Sequence, residues 1–154
     1  MVGAEAQSPA GESQPAFLDR LADQDTVSEN DATSGILMVL GEDASGPFTQ
    51  RVGKLRDRKV VDGGWSFDAG RPLTKGKLAY MVYQACRMRG GVILTLSGPS
   101  QRYCLRELQF RGFVSPGLPY TPVGGMEFVA VLNRAEVYRR TGEAPQVLLG
   151  TPSP

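Results

Sequence analysis

The sequence predicts a mainly α-helical repeat domain of helix–loop–helix units with at most one or two short strands. Three observations point there. Apolar residues recur at helical spacing in several segments, each opened by a capping residue and closed by Gly/Pro-rich turns. The stretch "RPLTKGKLAYMVYQA", Arg71 to Ala85, returns fifty residues later as "TPVGGMEFVAVLNRA", Thr121 to Ala135, with its apolar spacing kept and its charges changed. No apolar run, Ile36 to Leu40 included, approaches the roughly 20 residues that a membrane helix needs.

Taken in chain order, residues 1–30 read as a flexible acidic arm, rich in Ala, Ser, Pro and Glu, in which "FLDRLADQD" carries enough apolar spacing for one short turn. "ENDATSGILMVLGED" reads as a helix capped by Asp31 or Thr33, with Ile36, Leu37 and Leu40 on one face. "GPFTQRVGKLRDRKVV" places Phe48, Val52 and Leu55 on one stripe of a helix ending near Lys59. "DGGWSFDAGRP" is loop chemistry around Trp65. Thr74 then caps a helix whose buried face is Leu78, Met81, Val82 and Ala85. "GGVILTLSG", residues 90–98, is Gly-bounded and β-branched, so it reads as one strand or extended link. Ser97 or Ser100 caps the next helix, and Gly112 is placed to stop it in the left-handed region. A last helix runs from about Gly125 to Arg140, and residues 141–154 form a tail.

The repeat units span about 47–90 and 99–140 within a domain of 31–140. Setting Pro72-Leu73 on Pro122-Val123 places Leu78 on Phe128, Met81 on Val131, Val82 on Leu132 and Ala85 on Ala135. Upstream, Leu55 falls on Leu108, Val60 on Phe113 and Val61 on Val114. "ATSGILMVL" reads as a third, weaker copy with Ile36 at the Phe128 position. Three such helices suggest a core about a pseudo-threefold, or an offset stack.

Composition narrows the chemistry. The chain has no histidine, which removes the usual general base, the commonest metal ligand and every Ser-His or Cys-His arrangement. Cys86 and Cys104 are too few for a zinc site; they read as small buried side chains, or as one disulfide if the protein is exported. The near-neutral total divides unevenly. Through Gly35 there are seven acids and one base, Arg20; the remainder carries nine acids and sixteen bases. A basic body favours anionic partners, though scattered surface charge gives the same count. Neither Gly-Lys pair continues as a phosphate loop, and "SGPS" lacks the glycines of a nucleophile elbow.

The segment "RYCLRELQFRGFVSPGLPYTPVGGMEFVAVLNRAE" resembles the S-layer homology (SLH) repeat of bacterial envelope proteins, and the likeness extends over about Phe48 to Tyr138. SLH repeats also run from a helix through a Gly/Pro loop into a Pro-apolar-Thr-Arg-Ala-Glu motif opening a second helix. The resemblance implies a three-lobed helical trefoil whose grooves bind an anionic wall polysaccharide through the motif's Arg. On this chain Thr74 stands at the Thr position, Lys75 at Arg, Gly76 at Ala and Lys77 at Glu; in the second copy Gly124, Gly125 and Met126 replace the first three, and Glu127 keeps the fourth.

Thr74, Lys75, Lys77, Trp65 and Glu127 are therefore the candidate ligand-binding residues: a capped helix start with two cations, an aromatic beside it, and the retained motif acid. No catalytic residue, metal ligand or cofactor is expected. The implied function is a non-catalytic cell-envelope protein that adheres to a wall glycan or scaffolds an envelope protein. The alternatives are an accessory subunit of a larger assembly and a cytoplasmic nucleic-acid-binding or regulatory module. The expected location is the envelope or periplasm if a signal peptide has been removed, and otherwise the cytoplasm.

Overall fold

A computed structural model describes residues 12–89 and 99–145. Among the described residues there are six helices: α1 (Gln14–Ala22), α2 (Glu29–Val39), α3 (Phe48–Asp57), α4 (Lys75–Ala85), α5 (Gln101–Phe110) and α6 (Gly125–Thr141). The protein is mainly helical, with no sheet among the described residues; extended pairing is confined to two isolated bridges, Ser28 with Pro72 and Thr74 with Pro122. The link expected at residues 90–98 lies outside the described residues.

In chain order the helices form three helix–loop–helix lobes, α1–α2, α3–α4 and α5–α6, and the extensive helix packing runs between lobes and not within them. The second helix of each lobe packs on the first helix of the next: α2 on α3, α4 on α5, and α6 back on α1. At the centre one backbone strand-end from each lobe bonds to another. Leu73 N–H donates to Val27 C=O (2.7 Å), Val123 N–H to Leu73 C=O (2.9 Å), and Val27 N–H to Val123 C=O (2.9 Å). This three-membered cycle makes Val27, Leu73 and Val123 equivalent and gives the pseudo-threefold its axis. All three side chains are buried.

That equivalence corrects the register of the first copy. With Val27 on Val123, Ala32 falls on Phe128 and Ile36 on Leu132, one helical turn from the expected match. The reason is packing. A Cβ on Gly35 would lie 2.7 Å from Phe128 Cζ and 2.9 Å from Leu132 Cδ1, so α2 offers small residues where Phe128 enters. The other aligned pairs are all buried: Leu78 and Phe128, Met81 and Val131, Val82 and Leu132, Leu55 and Leu108, Val60 and Phe113.

The expected boundary at residue 31 falls inside α2, and α1 belongs to the helical body. Phe17 and Leu21 are both 0% exposed against it, worth about 1.5–3 kcal/mol each in apolar burial. A nine-residue helix has little stability of its own, so packing on α6 is what holds it. The cap of α2 is Ser28, which accepts from Asp31 N–H, and not Asp31 or Thr33. Thr74 and Ser100 cap α4 and α5 as their sequences predict, accepting from Lys77 N–H and Tyr103 N–H.

Helices α2 to α5 all end in the same two-bond reversal, with a left-handed residue just past the cap: Gly41, Lys59, Arg87 and Gly112. Gly112, with φ +82°, is the stop that the sequence predicts. Lys59 (φ +60°) and Arg87 (φ +50°) hold a conformation that costs an L-residue about 1–2 kcal/mol, part of which glycine returns to the unfolded chain as entropy. Lys59→Gly and Arg87→Gly are each expected to stabilise the fold by about 0.5–1 kcal/mol. A rise in urea midpoint at constant slope checks this.

Candidate functional site

The helix start at Thr74 looks in the sequence like an anion cradle, because the first amides of a helix have no partners within it. The fold supplies two of those partners from the next lobe, and the cap hydroxyl supplies a third. Lys75 N–H donates to Thr121 C=O (2.8 Å), Gly76 N–H to Pro119 C=O (2.8 Å), and Lys77 N–H to Thr74 Oγ1 (3.4 Å). Helix α2 repeats the arrangement, with Glu29 N–H on Arg71 C=O and Asn30 N–H on Ala69 C=O. Gly125 N–H likewise donates to Gln24 C=O at the start of α6. These helix ends are fastened to neighbouring lobes.

The side chains follow the same rule. Lys75 is 4% exposed, and its Nζ donates to Glu127 Oε1 at 2.6 Å and to Ser115 Oγ at 2.7 Å. Glu127 also accepts from the backbone N–H and hydroxyl of Ser115. Lys77 Nζ donates to Glu29 Oε1's partner oxygen, Oε2, at 2.6 Å; Glu29 is 1% exposed, and its Oε1 accepts from Asp68 N–H. Two seams between lobes are therefore closed by ion pairs of opposite polarity. In lobes 1 and 2 the acid occupies the motif's Arg position, at Glu29, and the lysine occupies its Glu position, at Lys77. In lobes 2 and 3 the lysine is at the Arg position and the acid at the Glu position. At the third seam Gly125 brings no side chain, and Asp31 is met at 3.4 Å by Arg20 from α1.

The five candidate residues thus divide between two seams. Lys75 and Glu127 come together at one; Lys77 and Trp65 come together at the other, with Lys77 Nζ 5.7 Å from the Trp65 ring and 4.9 Å from that of Phe67. Trp65 is half-buried, its ring centroid 4.9 Å from that of Tyr80, and Arg56 holds its carbonyl at 2.7 Å. Thr74 acts as a cap. Beside the Lys75–Glu127 pair, the surface of lobe 3 has an open depression of about 410 Å3 between Val114, Met126, Ala130 and Arg134.

Four residues of these seams carry no signal within the repeat alignment: Arg20, Glu29, Asp31 and Arg51. Glu29 and Asp31 become visible once "TVSENDA" is set beside "PLTKGKL", an apolar residue and a hydroxyl cap in each. Among the described residues Arg51 is the largest fully buried side chain. Its guanidinium donates only to neutral oxygens, those of Thr33 Oγ1 (3.2 Å), Gly46 C=O (2.6 Å), Asn30 C=O (3.1 Å) and Asn30 Oδ1. Burial lowers its pKa, against the opposing charge of Asp31.

Burial alone would raise the pKa of the Glu127 carboxyl, but the hydrogen bonds from Lys75 and Ser115 outweigh it and hold the group below its ordinary value. A carboxylate with a depressed folded-state pKa contributes stability above its unfolded value, and that contribution is lost as pH falls through the folded value. The stability gap between the wild type and Glu127→Gln is therefore expected to be open at pH 7 and to narrow below about pH 4. Urea unfolding at both pH values measures it.

Cys86 and Cys104 are free and buried, and desolvation pushes both thiols up to about 12, so neither is an available nucleophile at neutral pH. Among the described residues no group of three or more Cys, Asp or Glu side chains stands close enough to hold a metal. Comparison with protein-family models, curated proteins and solved structures gives no match.

Proposed function

We propose that this chain is a non-catalytic attachment module of a bacterial cell envelope, SLH-like in plan, that scaffolds an envelope protein through its outer surface. The observation that carries this reading is the state of the motif positions. A glycan groove of the SLH kind needs a cation free to meet an anionic sugar. Lys75 instead has its ammonium on Glu127 and Ser115 at 4% exposure, and Lys77 is spent on Glu29. An apolar surface is available on lobe 3 instead: Leu118, Tyr120 and Met126 are 53%, 72% and 74% exposed, around the loop that leads into α6. Large exposed aromatics and Met are the side chains that anchor protein interfaces.

Co-sedimentation with an isolated envelope fraction separates the two partners that the SLH resemblance implies. Retention that survives acid extraction of the wall polymer, is lost when the envelope is first treated with protease, and weakens several-fold in Tyr120→Ala and Met126→Ala supports protein scaffolding. Retention that follows the polymer and ignores protease contradicts it.

A further inference from the structure

Arg87 and Arg89 of "RMRGG" lie about fifty residues before Arg139 and Arg140 of "RRTG", and the fold brings these four arginines to one end of the described residues. Arg139 Nη1, on α6, donates at 2.6 Å to the carbonyl of Ala85, the last residue of α4. Arg111, the cap of α5, reaches the carbonyl of Arg89. The C-terminal ends of three helices from two lobes therefore converge, and each brings arginine. Arg87, Arg89 and Arg140 are exposed there, with no carboxylate within ion-pair distance among the described residues. Arg111 shares its charge with Glu107 at 2.7 Å.

A second feature leads to the same place. The outward stripe of α5 is Arg102, Arg106 and Phe110, at four-residue spacing, all exposed. It ends on Phe110, the residue before Arg111, whose side chain is 85% exposed. Helix C-termini carry partial negative charge, and Arg139 serves the end of α4 through the carbonyl of Ala85, while Arg111 holds the carbonyl of Arg89. That role leaves Arg87, Arg89, Arg102, Arg106 and Arg140 unexplained, and it does not account for an exposed phenylalanine among them.

The geometry points to a docking face for an anionic membrane leaflet: arginine forks for headgroup phosphates, with Phe110 placed to enter the acyl boundary. Arginine pairs with phosphate through two parallel hydrogen bonds, and a basic cluster with an aromatic among it binds at an anionic interface. A bilayer fits better than a nucleic acid. The arginines are divided between a stripe of α5 and the ends of α4 and α6, so no single helix carries them all into a groove, and a single aromatic is no stacking track for bases. This face lies apart from the motif positions and does not depend on the envelope reading.

The test is flotation of the full chain with vesicles at physiological salt. One set is phosphatidylcholine alone; in the other, phosphatidylglycerol replaces a third of it. A single-stranded oligonucleotide serves as the rival polyanion. Binding is expected to the anionic vesicles only, to fall at least about tenfold in Arg87→Gln/Arg89→Gln/Arg140→Gln, and to fall several-fold in Phe110→Ala. These positions are exposed, so circular dichroism and the unfolding midpoint should show each variant folded. Equal recovery with neutral vesicles, unchanged binding in the triple variant, or tighter binding of the oligonucleotide than of the anionic vesicles would overturn the proposal.

Discussion

Gly125→Ala is expected to destabilise the fold by at least about 3 kcal/mol, at or beyond the upper end of overpacking costs. An alanine Cβ at this position would lie 1.8 Å from the carbonyl oxygen of Leu21 and 2.8 Å from that of Gln24. Both are backbone atoms, so no side chain can swing away. Relief requires α6 to part from the end of α1, which breaks the bond from Gly125 N–H to Gln24 C=O and loosens the burial of Phe17 and Leu21. Gly124→Ala is the control, because its Cβ would meet only Asp25 C=O at 3.3 Å. Guanidinium unfolding should show a large loss for the first variant and a small one for the second. Domains of ordinary stability hold only about 5–15 kcal/mol, so Gly125→Ala should also show lowered protection of α1 amides.

Arg51→Met is expected to cost about 3 kcal/mol or more, with the apolar stem largely conserved. The guanidinium serves oxygens from two segments, Asn30 and Thr33 of α2 and Gly46 of the loop before α3. Removing it strands several buried acceptors at once, and each unsatisfied buried group costs about 1–3 kcal/mol. Arg51→Lys should recover only part of the loss, because an ammonium cannot span these positions as a planar fork does. Thermal unfolding of the three proteins measures the order expected: wild type, then Lys, then Met.

Much of the architecture is legible in the sequence, and the missing parts have physical causes. The cap at Thr74 and the buried face from Leu78 to Ala85 can be read directly because apolar spacing and capping chemistry agree there. The same holds for the buried pairs Leu55 with Leu108 and Val60 with Phe113. The first lobe resists such reading. Its second helix carries Ala32 and Gly35 where other lobes carry large residues, since Phe128 already fills that volume. Helix α1 is short and acidic in its surroundings, and only packing on α6 distinguishes it from a flexible arm.

The candidate site is harder to read for a different reason. Column by column, Glu29, Lys75 and Gly125 look like a decayed motif, as do Asp31, Lys77 and Glu127. Only the diagonal between lobes shows that charges were exchanged in pairs, Glu29 with Lys77 and Lys75 with Glu127. Once the lobes are placed about their axis, the two lysines beside Thr74 are seen to join lobes to each other. The arginine end is invisible for a similar reason: its members lie on segments that meet only through the bonds of Arg139 and Arg111.

Native-state hydrogen exchange of the three central amides, Val27, Leu73 and Val123, tests most directly whether the lobes form one closed unit. Each donates to the preceding lobe's carbonyl, so none can open without breaking the cycle. The expected result is slow exchange of all three at one common free energy equal to that of global unfolding, with all three lowered together by Gly125→Ala. Exchange of Val27 or Val123 at a distinctly lower free energy, with Leu73 still protected, would contradict a closed three-lobed ring.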